Sequence, residues 1–191
     1  IAREVKAQLP HDELVAAVDA LWARGIFELR MAGVELLVRR TDLLGAKDVP
    51  LVERLIREAK TWALVDALAP YVMGALLVKD GKLVKTLDRW STDEDFWVRR
   101  AAMLTLLPPL RDGSGDFTRF ARYADAMLDE KEFFIRKAIG WILREASKPT
   151  PDRVFDWLAP RAHRASGVTL REAIKYLPKH QQAQLAKARS R

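Results

Sequence analysis

Four short segments of this chain repeat one pattern: an apolar residue, an arginine, a variable residue and an alanine. They are Leu29-Arg30-Met31-Ala32, Val98-Arg99-Arg100-Ala101, Ile135-Arg136-Lys137-Ala138 and Leu170-Arg171-Glu172-Ala173. Arg99, Arg136 and Arg171 fall roughly 35–37 residues apart, and Arg30 sits about two periods upstream of Arg99. A period of that length belongs to stacked helix pairs, in which each repeat buries its apolar face only against its neighbours. The missing copy should lie near residue 65, where the chain reads Leu64-Val65-Asp66-Ala67. There Val65 takes the arginine slot, and Asp66 takes the slot held by Arg100 and Lys137 elsewhere.

Helical punctuation runs the length of the chain. Ile1 to Gln8 reads as a helix already under way, closed by Pro10, which implies earlier helices outside this sequence. Asp12 can cap a helix to Arg24, with Gly25 after it. Phe27 to Leu44 follows, with Phe27, Met31, Val34 and Leu37 or Val38 on its apolar stripe. Pro50 suits the first turn of a helix to Lys60, and Pro70 predicts a break or kink within Thr61 to Val78. Lys82 to Trp90 is a short helix. Ser91-Thr92-Asp93-Glu94 resembles a capping box for a helix to Leu107, ended by Pro108-Pro109, and Arg111 to Gly115 is a loop. Asp116 to Leu128, Lys131 to Ser147, Pro151 to Ala162, Thr169 to Leu177 and Pro178 to Arg189 complete the series. No stretch alternates with period two, so no strand is expected.

Composition bounds the chemistry. The 191 residues are 49% hydrophobic, enough for one globular domain, 1–191. There is no cysteine, which excludes thiolate zinc sites and thiol catalysis. His11, His163 and His180 show no ligand spacing, and neither a metal nor a cofactor is implied. No apolar run spans ~18 residues and no secretory signal is visible, so the expected compartment is the cytosol, near the nucleoid, and no membrane is expected as a partner. The 33 Lys and Arg exceed the 26 Asp and Glu, a net charge of +7 that favours a polyanionic partner.

The repeat gives that charge a place. Stacked helix pairs present their inner helices on a concave face, which would collect Arg99 or Arg100, Arg136 or Lys137, Arg144, Arg171 and Lys175. Such a trough suits a DNA backbone, held by shape and phosphate charge rather than by base reading. The alternative is that the repeated arginines bridge adjacent repeats or cap helix ends. That explains the first arginine of each repeat well and the variable next residue less well. Against this basic background, Trp62 and Asp66 stand four residues apart, on one face of a helix. Taken alone, a helical tryptophan is more often core and an aspartate more often solvated surface. Trp22, Trp90 and Trp157 are assigned to the core or to repeat junctions.

Lys131 to Glu145 (KEFFIRKAIGWILRE), followed by Leu170 to Lys175 (LREAIK), resembles the signature of the HEAT-like-repeat DNA alkylation repair glycosylases, the AlkD family. Lys60-Thr61-Trp62 with Val65-Asp66, and Trp97 to Ala102 (WVRRAA), match two more of that family's motifs in order. The resemblance spans essentially the whole chain. It implies an all-α superhelix of HEAT-like repeats with a concave basic face. It also implies a monomeric enzyme that excises 3-methyladenine and 7-methylguanine from double-stranded DNA without flipping the base. By that resemblance Asp66 is the catalytic carboxylate, Trp62 and Trp141 contact the lesion's deoxyribose, and Arg100 is a concave-face cation needed for activity. Family members carry further N-terminal helices, an aromatic can precede the residue at Trp62 where this chain has Thr61, and the Gly113-Ser114-Gly115 loop is slightly longer.

The residue types suit that chemistry. An alkylated purine carries a positive charge and leaves as a neutral base, so no general acid is needed. The sugar becomes oxocarbenium-like, and one fixed carboxylate can stabilise it and orient the attacking water. Two other functions compete: a non-catalytic reader of branched or distorted DNA, and a protein-binding helical scaffold. The second would require an apolar or acidic concave face.

Overall fold

The computed structural model describes residues 10–189, so the helix expected over Ile1 to Gln8 lies outside the described residues. Every described element is helical, and no strand occurs among them. Internal packing divides the chain into two compact units, one ending at Arg89 and one beginning at Trp90.

In the first unit, α1 (His11–Ala23) is preceded by Pro10 in an extended conformation. Asp12 is therefore not the cap but a first-turn acid. It is bonded at 2.8 Å to Nδ1 of His11, whose Nε2 lies 2.7 Å from the buried Asp48. Arg24 closes the helix and Gly25 turns out of it at φ +68°. Next, α2 (Phe27–Arg39) buries Val34 and Leu37 but leaves Phe27 exposed. It stops at Arg39 rather than Leu44, and the chain continues as a 3₁₀ turn, Thr41–Leu43. The Lys79 ammonium gathers the carbonyls of Thr41, Asp42 and Leu44 there, so the polar groups freed by that early stop are satisfied.

After α3 (Val49–Ala59), Lys60 adopts the left-handed conformation at φ 48° and Thr61 is extended. That two-residue corner starts α4 (Trp62–Ala67). Pro70 does not break the helix. It has no N–H for the carbonyl of Asp66 four residues back, and the turn widens to a π-helical segment, Leu68–Met73, before α5 (Gly74–Lys79). The stretch Trp62–Lys79 is thus long and apolar enough to cross a membrane by length and composition, contrary to the sequence reading. Leu64, Val65, Leu68, Val72, Met73 and Leu76 of this stretch are fully packed in protein, the pattern of a core helix. A 3₁₀ turn, Gly81–Leu83, leads to α6 (Val84–Trp90).

In the second unit, α7 (Phe96–Leu104) is capped by Asp95, whose carboxylate accepts from the N–H of Trp97. The Ser91 box expected from sequence is not the cap, and Asp93 instead accepts from the N–H of Asp95. Pro108 and Pro109 do not end this helix. They sit in the first turn of α8 (Leu107–Arg111), where a missing N–H costs nothing. α9 (Phe117–Ala126) is capped by Asp116 and α10 (Phe133–Ala146) by Glu132. Then come α11 (Pro151–Leu158), α12 (Gly167–Ala173) with Ser166 as its cap, a 3₁₀ turn at Ile174–Tyr176, and α13 (Lys179–Arg189).

α10 is the centre of this unit and packs on α7, α8 and α12. Ile135, Ala138, Ile139, Ile142, Leu143 and Ala146 are buried along it. Its crossing with α12 needs Gly140: a Cβ there would lie 2.8 Å from both the Thr169 carbonyl oxygen and the Glu172 Cβ. Thr169 Oγ1 adds a 3.1 Å hydrogen bond to the carbonyl of Arg136. Gly140→Ala should therefore lower the denaturation midpoint, by about 1–3 kcal/mol of stability. A wild-type urea midpoint for that variant would show that α12 is not held by this approach.

Candidate functional site

Trp62 opens α4 and is 54% exposed, whereas its neighbours Leu64 and Val65 face the core. Asp66 follows one turn later on the same helix face and is half-buried. The indole and the carboxylate are therefore adjacent on the surface of the first unit, immediately before the π turn that Pro70 imposes. Such single π turns concentrate at functional sites.

The second unit holds the expected cations, and the structure divides them into two groups. In the first group the arginine is structural. Arg99 donates to the carbonyls of Asp93 at 2.6 Å and Glu94 at 2.9 Å, and grips Glu130 with Nε at 3.1 Å and Nη2 at 2.8 Å. Arg136 donates to the carbonyl of Glu130 at 2.6 Å. In the first unit Arg30 reaches back to the carbonyl of Trp22 at 3.4 Å and stacks over its ring at 5.0 Å. Arg30, Arg99 and Arg136 thus clip the segment before their own helices, as expected if the repeated arginines bridge repeats, whereas Arg171 is exposed. Arg100 also requires correction as an open phosphate contact. It is only 2% exposed, donates to the carbonyl of Phe134, and lies 6.0 Å from that residue's ring. These contacts of an α7 side chain with Phe134 of α10 make it part of the packing between the two helices.

The second group converges. Lys137, Trp141 and Arg144 share one face of α10, with Trp141 half-buried between the two cations. Lys137 Nζ lies 2.7 Å from Glu172 Oε1, while Arg144 Nη1 at 2.5 Å and Lys175 Nζ at 3.0 Å share Oε2. Arg171 is exposed on α12. Glu145, one residue beyond Arg144, accepts from Arg144 at 3.2 Å and from Lys148 at 2.6 Å, and pairs with Arg111 at 3.3 Å. The Lys137 bond, ahead of those from Lys175 and Arg144, holds the Glu172 carboxyl down to about 2 despite its partial burial. At Glu145 burial works to raise the pKa, but bonds from Lys148 and Arg144 more than offset it and the net shift is downward.

Glu145, Glu172, Arg111 and Lys148 were not singled out by sequence. The available signal was local spacing: Glu145 with Lys148, and Glu172 with Lys175, are both three residues apart across the C-terminal end of a helix. Among the known proteins compared, none of the curated sequences matches this chain.

The structure thus combines an all-helical fold with a surface acid–indole pair in the first unit and a cation-rich helix face in the second. The DNA alkylation repair enzyme family matches residues 1–177, and this chain belongs to that family. Of the solved structures, one from Enterococcus faecalis, described as a predicted DNA alkylation repair enzyme, is similar at 24% identity and a TM-score of 0.82. That match covers 93% of this chain and 81% of the other. A crystal structure from Streptococcus mutans UA159 is similar at 18% identity and a TM-score of 0.70, covering 93% and 89%. These likenesses support the fold.

Two outcomes follow. Because the Glu172 carboxyl is depressed from 4.5 to about 2, it contributes stability above the upper value that is lost as pH falls through the lower. Thermal melts between pH 5 and about 2 should fall more steeply for wild type than for Glu172→Gln; parallel curves would deny the coupling. Arg100→Ala should destabilise the fold by about 1.5–3 kcal/mol, the scale of a charge-assisted hydrogen bond, and leave the salt dependence of DNA binding unchanged. A stable variant with a flatter salt slope would restore Arg100 as a phosphate ligand.

Proposed function

We propose that this protein is a DNA glycosylase that excises cationic N3- and N7-alkylated purines, chiefly 3-methyladenine and 7-methylguanine, from double-stranded DNA. The observation that carries the reading is the exposed Trp62 one turn from Asp66, on a helix distorted at that point, in a chain of the DNA alkylation repair enzyme family.

In this reading Asp66 stabilises the oxocarbenium-like deoxyribose as the glycosidic bond lengthens, and orients the water that attacks C1′. The departing base is already cationic, so it leaves neutral and needs no proton from the protein. An electron-rich indole face attracts a cation by ~0.5–2 kcal/mol, and Trp62 and Trp141 take that part toward the damaged nucleotide. Selectivity then comes from the lability of the charged glycosidic bond, with no extruded base and no snug base pocket. The reading also makes the enzyme a cytosolic monomer without a cofactor. Bulky cationic adducts should be tolerated and neutral lesions left alone; excision of uracil alongside 7-methylguanine would contradict this.

A second reading, a DNA-binding protein without chemistry, gains from the burial of Arg100, a side chain the family resemblance ties to activity. One experiment separates the two: release of free 7-methylguanine from methylated duplex DNA. Asp66→Asn should reduce release by about a hundredfold or more while duplex binding stays near wild type. No release from the wild-type protein favours the second reading. Collapse of binding in the variant, with bound DNA still turned over, removes Asp66 from the chemistry.

A further inference from the structure

A second exposed aromatic residue stands near Asp66. Tyr71 is 53% exposed, close to the 54% of Trp62, and has no part in the chemistry assigned to Asp66, Trp62 and Trp141. In an unbroken α-helix, nine residues at about 100° each would put Tyr71 about 180° from Trp62, on the opposite side. The helix is not unbroken. Gly74 donates its N–H to the carbonyl of Ala69, five residues back, so the π segment Leu68–Met73 takes in one extra residue. That residue turns the rest of the helix back by about 100°. Tyr71 then falls about 40° from Asp66 and about 80° from Trp62, on their side of the helix.

The buried side of the helix has the same phase. Leu64, Leu68, Val72 and Leu76 recur at intervals of four, and each is at most 1% exposed. Over those 12 residues an α-helix would drift by about 120°, too far for one buried row, whereas the extra residue cuts the drift to about 20°. The apolar row therefore faces the core as a line, and Trp62, Asp66 and Tyr71 lie on the side opposite. Along that side the half-buried carboxylate has an exposed ring one turn before it and another one wide turn after it. Long side chains on a helix lean toward its N-terminus, which inclines a ring at position 71 back over the turn that carries Asp66.

We infer that Tyr71 is a further catalytic residue, an aromatic contact to the damaged nucleotide on the side of Asp66 away from Trp62. The inference rests on the reading of Asp66 as the carboxylate that stabilises an oxocarbenium-like deoxyribose. A cation that forms at that carboxylate meets the electron-rich face of a phenol ring as well as that of an indole. The attraction grows with the positive charge on the sugar. It is therefore stronger in the transition state than in the ground state, which is the condition for accelerating the step. The ring makes this contribution and the hydroxyl does not, so phenylalanine can replace Tyr71 and an aliphatic side chain cannot.

The test uses two duplex probes with the full chain and does not depend on base release. In one a cationic pyrrolidine replaces a single deoxyribose; in the other a neutral tetrahydrofuran stands at the same place. Wild type should bind the cationic duplex more tightly. Tyr71→Leu should reduce that preference by about 2- to 30-fold, the range of a cation–ring attraction, and Tyr71→Phe should keep it. Tyr71→Leu should also slow release of 7-methylguanine by a similar factor, with affinity for undamaged duplex near wild type. Val78→Thr, at an exposed position about two turns further along, should change neither. The contact is overturned by no preference in wild type, by an undiminished preference in Tyr71→Leu, or by equal weakening toward both probes. The same loss in Tyr71→Phe or Val78→Thr overturns it too. Base release is read separately. If wild type releases no base, the glycosylase reading falls, while a preference lowered by Tyr71→Leu keeps the contact. Release that Tyr71→Leu leaves unchanged removes Tyr71 and spares Asp66.

Discussion

A guanidinium turned back on the carbonyls that precede its own helix is the interaction on which this fold's repetition depends. Arg30 does this toward Trp22, Arg99 toward Asp93 and Glu94, and Arg136 toward Glu130. The connections between these helices carry backbone carbonyls that no helix satisfies. A long, permanently charged donor projecting from the next helix satisfies them and sets the spacing at once. Arg99 adds the Glu130 carboxylate to its backbone contacts, so one side chain ties the two connections that flank its own repeat. The alanine two residues later lets the helices approach: Ala101, Ala138 and Ala173 are all fully buried.

Where the pattern lapses, the surface changes. At the copy near residue 65 the arginine is replaced by Val65, which is wholly buried, and the clip is gone. The corner before that helix is made instead by Lys60 in a left-handed conformation and by extended Thr61. The next position is an acid, and Asp66 lies one turn after an indole that is more than half exposed. Pro70 then denies the Asp66 carbonyl its usual donor, and the helix responds with a π turn rather than a kink. Three local departures from the repeat therefore fall within eleven residues, Lys60 to Pro70, around a single carboxylate.

Much of this was legible in the sequence, for definable reasons. Helix identity followed from period and punctuation, and Pro50, Asp116 and Pro151 marked the starts of helices as their chemistry requires. Boundaries failed where two residues could serve one role. Asp95 outcompeted Ser91 as a cap, and Pro108 and Pro109 started a helix as readily as they could have ended one. Pro70 predicted a disturbance, but not that a wider turn would absorb it. The exposure of Trp62 could be anticipated only through resemblance, since an indole at a helical position is ordinarily core. The burial of Arg100 was beyond reach altogether. Arg99 and Arg100 are adjacent, and which of them faces inward depends on where Phe134 and its carbonyl lie, 34 residues further on.

The variable position of the repeat is where structure and function divide. Its occupants in order are Met31, Asp66, Arg100, Lys137 and Glu172, so its charge is zero, negative, positive, positive and negative. Arg100 has been taken into the packing, while Lys137 and Glu172 are paired across adjacent helices at 2.7 Å. That pairing explains how an acid persists in a cation-rich surface without weakening it. Glu172 is neutralised more than once, by three cations, and the excess charge is left facing out. Asp66 occupies the same slot with an indole one turn away on its own helix. The position that tolerates any charge thus supplies an acid to the first unit's surface, and to the second an acid that gathers cations.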